Sequence, residues 1–423
     1  MIAKTFSAGV FMRLILALAT GLCEVNLMRA EQPPDSVHTR AASDREQFIV
    51  FNISATAPAP VFQEVAREFK PIAGRPLRVG LGAVFSYLRH SPEQLRGALE
   101  EFLKLAQLHS IPVVVQLDGE QWMEARPDLW NWWDPKAPGF NPSNRFNVEW
   151  SGWQPEDAVR IGWRNWGHIL RVLPSPNLMS PAYRTACHAE MNRLVPVIVD
   201  WWHALPADQR GLLIGVKVGW ESSIGVNAWY YPGGNQLAAQ PPALDPTNGL
   251  RGSLVPDRGM AQIGYAAVTT AGLRRSGHIT ESDLAEVVRL HLEDLSRRAA
   301  ELGLPRDKLF THAGGWKDDE LLYGSAVNGF SCPGWSFYRH ADDPHQDTAV
   351  QKALARCSAP YWAAVEWLYR GTNSVESWTR SMGKAFVDPR CRFLCMYNWE
   401  NVGKNPVARE AVRRMLDSSQ PVR

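Results

Sequence analysis

Cysteine is sparse in this chain of 423 residues: only six occur, at 23, 187, 332, 357, 391 and 395. No two of them form a Cys-x-x-Cys, and the 11 histidines show no His-Glu-x-x-His or similar ligand spacing, so a structural or catalytic metal is not supported. An excess of charge is lacking too. The 45 basic and 43 acidic residues leave a net charge of +2, without the electrostatic bias that a nucleic-acid partner calls for. Gly80-Leu-Gly82 follows an apolar run but has no third glycine in register, and neither a phosphate loop nor a Gly-x-Ser-x-Gly elbow occurs. No cofactor is therefore expected. Also missing is any apolar run of the roughly 20 residues that a bilayer-spanning helix needs. The segment Leu14 to Cys23 is too short to span, and it follows Lys4 and Arg13. That is the pattern of a secretory signal peptide over residues 1–30, cleaved near Ala30, with Leu22-Cys23 as an alternative lipoprotein site. An exported or periplasmic protein is expected. Loss of the leader leaves five cysteines, an odd number.

Residues 31–46 are polar and read as a disordered lead-in. Beyond them, short apolar runs alternate with helical patterns. Strands are expected at 47–53, 77–81, 111–117, 212–218, 308–312, 325–331, 359–365 and 392–398, with helices at 61–69, 92–108, 183–205, 281–302 and 406–416. Eight strands alternating with helices over residues 47–423 predict an α/β fold, a (β/α)₈ TIM barrel. Its surplus length falls into long insertions after strands 3 and 4, on the face where strand-to-helix loops build active sites.

The chain is rich in tryptophan. Of 18, eight lie between strand 3 and the next long helix: Trp122, Trp130, Trp132, Trp133, Trp150, Trp153, Trp163 and Trp166. Most are expected to pack the insertion against the barrel. One or two on a cleft wall would suffice to stack on sugar rings, since an indole offers an apolar face and a free N–H.

Two glutamates close strand-like runs: Glu221 in Gly215-Val-Lys-Val-Gly-Trp-Glu221, and Glu366 in Tyr361-Trp-Ala-Ala-Val-Glu366. An acid at the carboxyl end of a buried strand is hard to explain by packing, and glycoside hydrolysis needs one protonated and one ionised carboxyl group. With Met396-Tyr-Asn-Trp399 at the end of strand 8, the pattern resembles the retaining glycoside hydrolases of the clan A type, a (β/α)₈ superfamily with many cellulases, mannanases and β-galactosidases. The resemblance implies Glu221 as acid/base, Glu366 as nucleophile and Trp399 as a substrate-binding aromatic. It departs from the superfamily at Trp220, where asparagine usually precedes the acid/base.

Asp118 and Glu120 after strand 3, Trp122, Trp220, His312 and Tyr397 complete the expected carbohydrate-binding set, with His312 alternatively orienting a carboxylate. Alternation back from Glu221 puts Lys217 inside the barrel, at a cost that a bulge at Gly219 would relieve. On strand 7, Trp362, Ala364 and Glu366 are expected to share the inward face. A Cys357–Cys391 disulfide is expected across strands 7 and 8. Two alternatives stand: an inverting enzyme pairing Glu221 with Asp118 or Glu120, and a non-catalytic carbohydrate-binding barrel.

Overall fold

The computed structural model describes residues 46–417 apart from 73–74, 122–125, 226, 253–254 and 315–319. The expected leader, the lead-in up to residue 45 and Trp122 lie outside the described residues. Glu46, assigned to the lead-in, already belongs to the fold, its carboxylate 3.2 Å from the Arg78 guanidinium.

Eight parallel strands close into a barrel in sequence order: β1 Gln47–Ile53, β2 Leu77–Ser86, β3 Val113–Asp118, β4 Leu213–Ser222, β5 Leu309–Ala313, β6 Gly334–Phe337, β7 Trp362–Trp367 and β8 Cys391–Met396. Between them run α1 Ala59–Glu68, α2 Pro92–His109, α3 Pro181–Ala204, α4 Glu281–Glu301, α5 Thr348–Ala355 and α6 Val375–Phe386, and α7 Pro406–Asp417 closes the ring. The (β/α)₈ barrel expected from the sequence is the fold. Helix starts follow the local chemistry: Ser91 accepts from the Gln94 amide ahead of α2, and Thr280 and Asp283 cap α4 reciprocally.

Strand 6 is a correction. The expected 325–331 holds the end of a 3₁₀ turn, Leu321–Ala326, and a loop in which the Asn328 side chain accepts from the amides of Phe330 and Ser331. The strand itself is four residues long and begins at a glycine after Pro333, which hides it from any periodicity.

The barrel interior is filled by Phe48, Val50, Val114, Ile214, Phe310, Val365, Phe393 and Cys395. A larger apolar shell, including Ile49, Leu81, Val218, Trp362, Ala364 and Leu292, packs the outer faces of the strands against the helices. Strand 7 therefore has the opposite parity to the one expected, with Ala363 and Val365 inward and Trp362 and Ala364 outward. A shift in the ladder between Ala364 and Glu366 makes the difference. All five cysteines after residue 45 are free thiols, so the Cys357–Cys391 pairing is also corrected. Cys391 lies abreast of Trp362, five positions beyond Cys357, because β7 starts later than expected.

The insertions after β3 and β4 are joined. Gly162–Asn165 pairs antiparallel with Ile169–Val172 on one side and with Ala228–Trp229 on the other, giving a three-stranded sheet over the barrel mouth.

Candidate active site

Lys217 is the residue around which the centre is built. It points into the barrel and is fully buried, as strand alternation required. The expected bulge is present: Gly219 has φ 82° and the ladder to β5 slips between Val218 and Ser222. It does not turn Lys217 outward. The ammonium is matched instead, with Nζ 2.8 Å from His312 Nδ1 and 4.3 Å from the centre of the Trp220 ring. Burial lowers its pKa to about 8, opposed by the negative charge of Glu366.

Glu221 sits just past that bulge in a left-handed conformation, φ 45°, uncommon for a residue with a side chain. Gly314 lies against it, with room for no more than hydrogen: a Cβ there would stand 3.0 Å from the Cβ of Glu221. Glu366 reaches the same space because the slip in β7 turns it inward next to Val365. The Tyr338 hydroxyl, just beyond β6, is 2.6 Å from Oε1 of Glu221 and 2.6 Å from Oε1 of Glu366. Ser336 also donates to Glu221, at 3.0 Å, and lies 2.8 Å from His312 Nε2. A chain of contacts thus runs from Lys217 through His312 and Ser336 to Glu221.

Burial, and next the charge of Glu221, push the Glu366 carboxyl up to about 8. Burial raises Glu221 as well, but bonds from Tyr338 and Ser336 favour its charged form. His312 is held well below its ordinary value, first by burial and then by Lys217, and is neutral. One oxygen of each glutamate and one nitrogen of His312 lie within 4.8 Å of one another, close enough to grip a cation. A metal there would meet the Lys217 charge and would have to displace the tyrosine hydroxyl, so the cluster fits a carboxylate pair better than a metal site.

Among the other expected residues, Tyr397 is exposed at the surface near the pair, and its phenol is raised by partial desolvation and by the charges of Glu366 and Glu221. Trp220 flanks the centre. His312 does not face the mouth; it is fully buried, with both ring nitrogens engaged. Asp118 does not face it either. Its oxygens are taken by Ser86 at 2.7 Å and by the amides of Glu120 and Gln121, so it fixes the loop after β3. Glu120 accepts from Ser222 and, at 3.3 Å, from the Trp220 amide, and lies 3.5 Å from His291. Although burial opposes it, those partners keep its pKa below the ordinary value.

Trp399 is a correction. Strand β8 ends at Met396, and Trp399 opens a short helix, where its ring packs on Phe51 at 4.8 Å and under Arg409 at 5.6 Å. The alternation that would have aimed it at the carboxylates has ended three residues earlier.

At Trp220, the residue before Glu221, opens a cavity of about 480 Å³, walled by Glu120, Trp133, Arg164, Trp166, Trp220 and Arg160 among others. Of the seven described tryptophans of the first insertion, Trp133 and Trp166 line it. Trp150 and Trp163 are buried, and Trp130, Trp132 and Trp153 pack on the core. Ser336 and Tyr338 escaped the sequence reading because strand 6 was misplaced. Lys217 was visible only as a conflict of parity.

No protein-family model matches the chain, and no curated protein is similar to it. Solved structures with a similar fold include a glycoside hydrolase family 5 enzyme from Prevotella bryantii B14, at 8% identity and a TM-score of 0.41 over 89% of this chain and 97% of that one. They also include a β-mannanase from Thermomonospora fusca, at 9% identity and a TM-score of 0.37 over 86% and 82%. A third is a tri-modular family 5 endo-β-1,4-glucanase from Bacillus licheniformis, at 8% identity and a TM-score of 0.42, where the match spans 89% of this chain and 59% of the other.

Proposed function

We propose that the protein is a glycoside hydrolase that cleaves an extracellular oligo- or polysaccharide with retention of configuration, using Glu221 and Glu366. One observation carries this reading: two buried glutamates, from the carboxyl ends of β4 and β7, both reach the hydroxyl of Tyr338. Retaining enzymes hold their carboxyl groups about 5–5.5 Å apart, and inverting ones leave about 6.5–9.5 Å for a water. Oxygens of Glu221 and Glu366 within 4.8 Å of each other favour the first. The commitment of Asp118 and Glu120 to buried partners argues against their replacing Glu366. Export through the leader at residues 1–30 is part of the same proposal. Among the described residues no helix is long and apolar enough to cross a membrane.

In the proposed cycle one glutamate protonates the leaving oxygen while the other attacks the anomeric carbon; water then releases the sugar, with the first acting as base. The resemblance to clan A assigns acid/base to Glu221 and attack to Glu366. A second reading exchanges the roles, since burial and the charge of Glu221 raise the Glu366 carboxyl and favour its protonated form. Glutamine variants decide between them. The acid/base variant keeps turnover of activated aryl glycosides, whose leaving group departs without a proton, and loses poor leaving groups; the nucleophile variant loses both. The first assignment expects Glu221→Gln to behave as the acid/base variant and Glu366→Gln as the nucleophile. Near wild-type activity in either variant, or an inverted first product by NMR, would sink the retaining pair. A protein that binds glycans without turnover in any assay would instead be a carbohydrate-capturing barrel.

A further inference from the structure

Among the described residues, the cavity at Trp220 is walled by Arg89, Arg160, Arg164 and Arg171 and by a single carboxylate, that of Glu120. Glu120 is already engaged by Ser222, the Trp220 amide and His291. Arg164 is the informative member. It follows Trp163 on the strand Gly162–Asn165; Trp163 drops into the insertion's own core with Ile161, Ile169 and Met260, and Arg164 lines the cavity. Only 8% of Arg164 is exposed. Its charge acts on Glu120 and Glu221 from a distance, yet among the described residues its guanidinium forms no ion pair or hydrogen bond. Arg160 is similar, its Nε buried without a partner and its plane 5.2 Å from the Trp132 ring. Arg171 donates to the carbonyls of Leu237 and Gln240, which orient it and leave its charge uncancelled.

Buried cations are costly unless an anion meets them. A guanidinium is a planar fork that fits a carboxylate or a sulfate through two parallel bonds. Trp133, Trp166 and Trp220 line the same cavity, and Trp166 is 41% exposed, with its ring open to a ligand. Indole faces beside Arg164 and Arg160, in a cavity that Trp220 connects to Glu221 along the chain, make a surface for a sugar that carries negative charge.

We propose that the substrate is an anionic glycan, in which a sugar next to the scissile bond presents a carboxylate or sulfate to Arg164 and stacks on the neighbouring indoles. This specifies the substrate of the glycosidase proposed above and rests on that reading.

The test pairs uronate oligosaccharides (from pectate, alginate and hyaluronan) with their carboxyl-reduced forms, and sulfated galactan oligosaccharides with their desulfated forms. Binding is measured by calorimetry on the wild-type protein and on Glu366→Gln, and turnover on the wild type. The expected result is that one charged form binds roughly 10- to 100-fold more tightly than its neutral counterpart and weakens with added salt. Which pair responds distinguishes carboxylate from sulfate. Arg164→Gln is expected to erase the discrimination; should that variant fail to fold, Arg160→Gln, expected to reduce it, and the salt dependence of the wild type decide. Equal affinity for charged and neutral forms, or no binding of any charged form, overturns the proposal. Turnover of neutral glycans with no charge preference would sink it and leave the glycosidase reading intact. Salt-sensitive binding of the charged forms without any turnover would uphold the cavity's assignment and sink the glycosidase.

Discussion

A phenolic hydroxyl has one proton to give, and Tyr338 faces an oxygen of each of two glutamates at 2.6 Å. The geometry is satisfied when one carboxyl carries a proton and donates to the tyrosine, which donates to the other. The pair is therefore best described as sharing a proton, and its activity should depend on pH in two limbs. At alkaline pH, where the pair gives up its shared proton, the acid is gone and kcat/KM is expected to fall. Tyr338→Phe removes a bond that favours both charged forms, so both limbs of the profile are expected to move to higher pH. The rate at the optimum is expected to drop roughly 10- to 100-fold, the worth of a hydrogen bond to a charged group at about 1.5–3 kcal/mol. A profile that keeps its position in that variant would show that Tyr338 does not tune the pair. None of this could be read from the chain, because Tyr338 lies 117 positions from Glu221 and 28 from Glu366, and only closure of the barrel brings the three together.

Irregular strands place the pair. Glu221 follows the slip at Gly219, and Glu366 faces inward because of the slip after Ala364. The sequence located both strand ends and named both glutamates, since an apolar run ending in an acid is a local signal. Which way each side chain points was another matter. Simple alternation turned Trp362 and Ala364 inward with Glu366, and the structure has them on the outer face. A bulge leaves no mark in a pattern of apolar and polar residues unless a glycine betrays it, as Gly219 did. Gly219→Ala is expected to cost about 1–2 kcal/mol for the left-handed backbone alone. More is added by contact, because the new Cβ would stand 2.6 Å from Leu292 Cδ2 and from Ser222 Oγ. Gly233→Ala isolates the backbone cost, since Gly233 has φ 85° and open space around it. Urea unfolding is expected to rank Gly219→Ala below Gly233→Ala, with activity lost only in the former. An equal loss of stability in both would mean that the packing around the bulge is soft.

The whole molecule carries a pH dependence of stability apart from the active site. Glu149, in the insertion after β3, is fully buried; burial raises its carboxyl to about 8, and the amides of Ala266 and Ala267 oppose the shift. A carboxyl raised in the folded state holds a proton that the unfolded chain, near 4.5, gives up. Its stabilising share is complete below about 4.5 and is lost as pH rises through about 8. Glu149→Gln cannot ionise, so its melting temperature is expected to fall less than that of the wild type between pH 5 and 9. Parallel curves would show that Glu149 ionises without strain in the fold. The sheet above the barrel has a consequence of another kind. Its middle strand, Gly162–Asn165, is hydrogen-bonded on one side within its own insertion and on the other to Ala228–Trp229 from the next. Moving either insertion alone into another barrel would leave an unpaired edge. The two are heritable as one cassette: a descendant that traded it would keep the carboxylates on β4 and β7 and acquire a different diet.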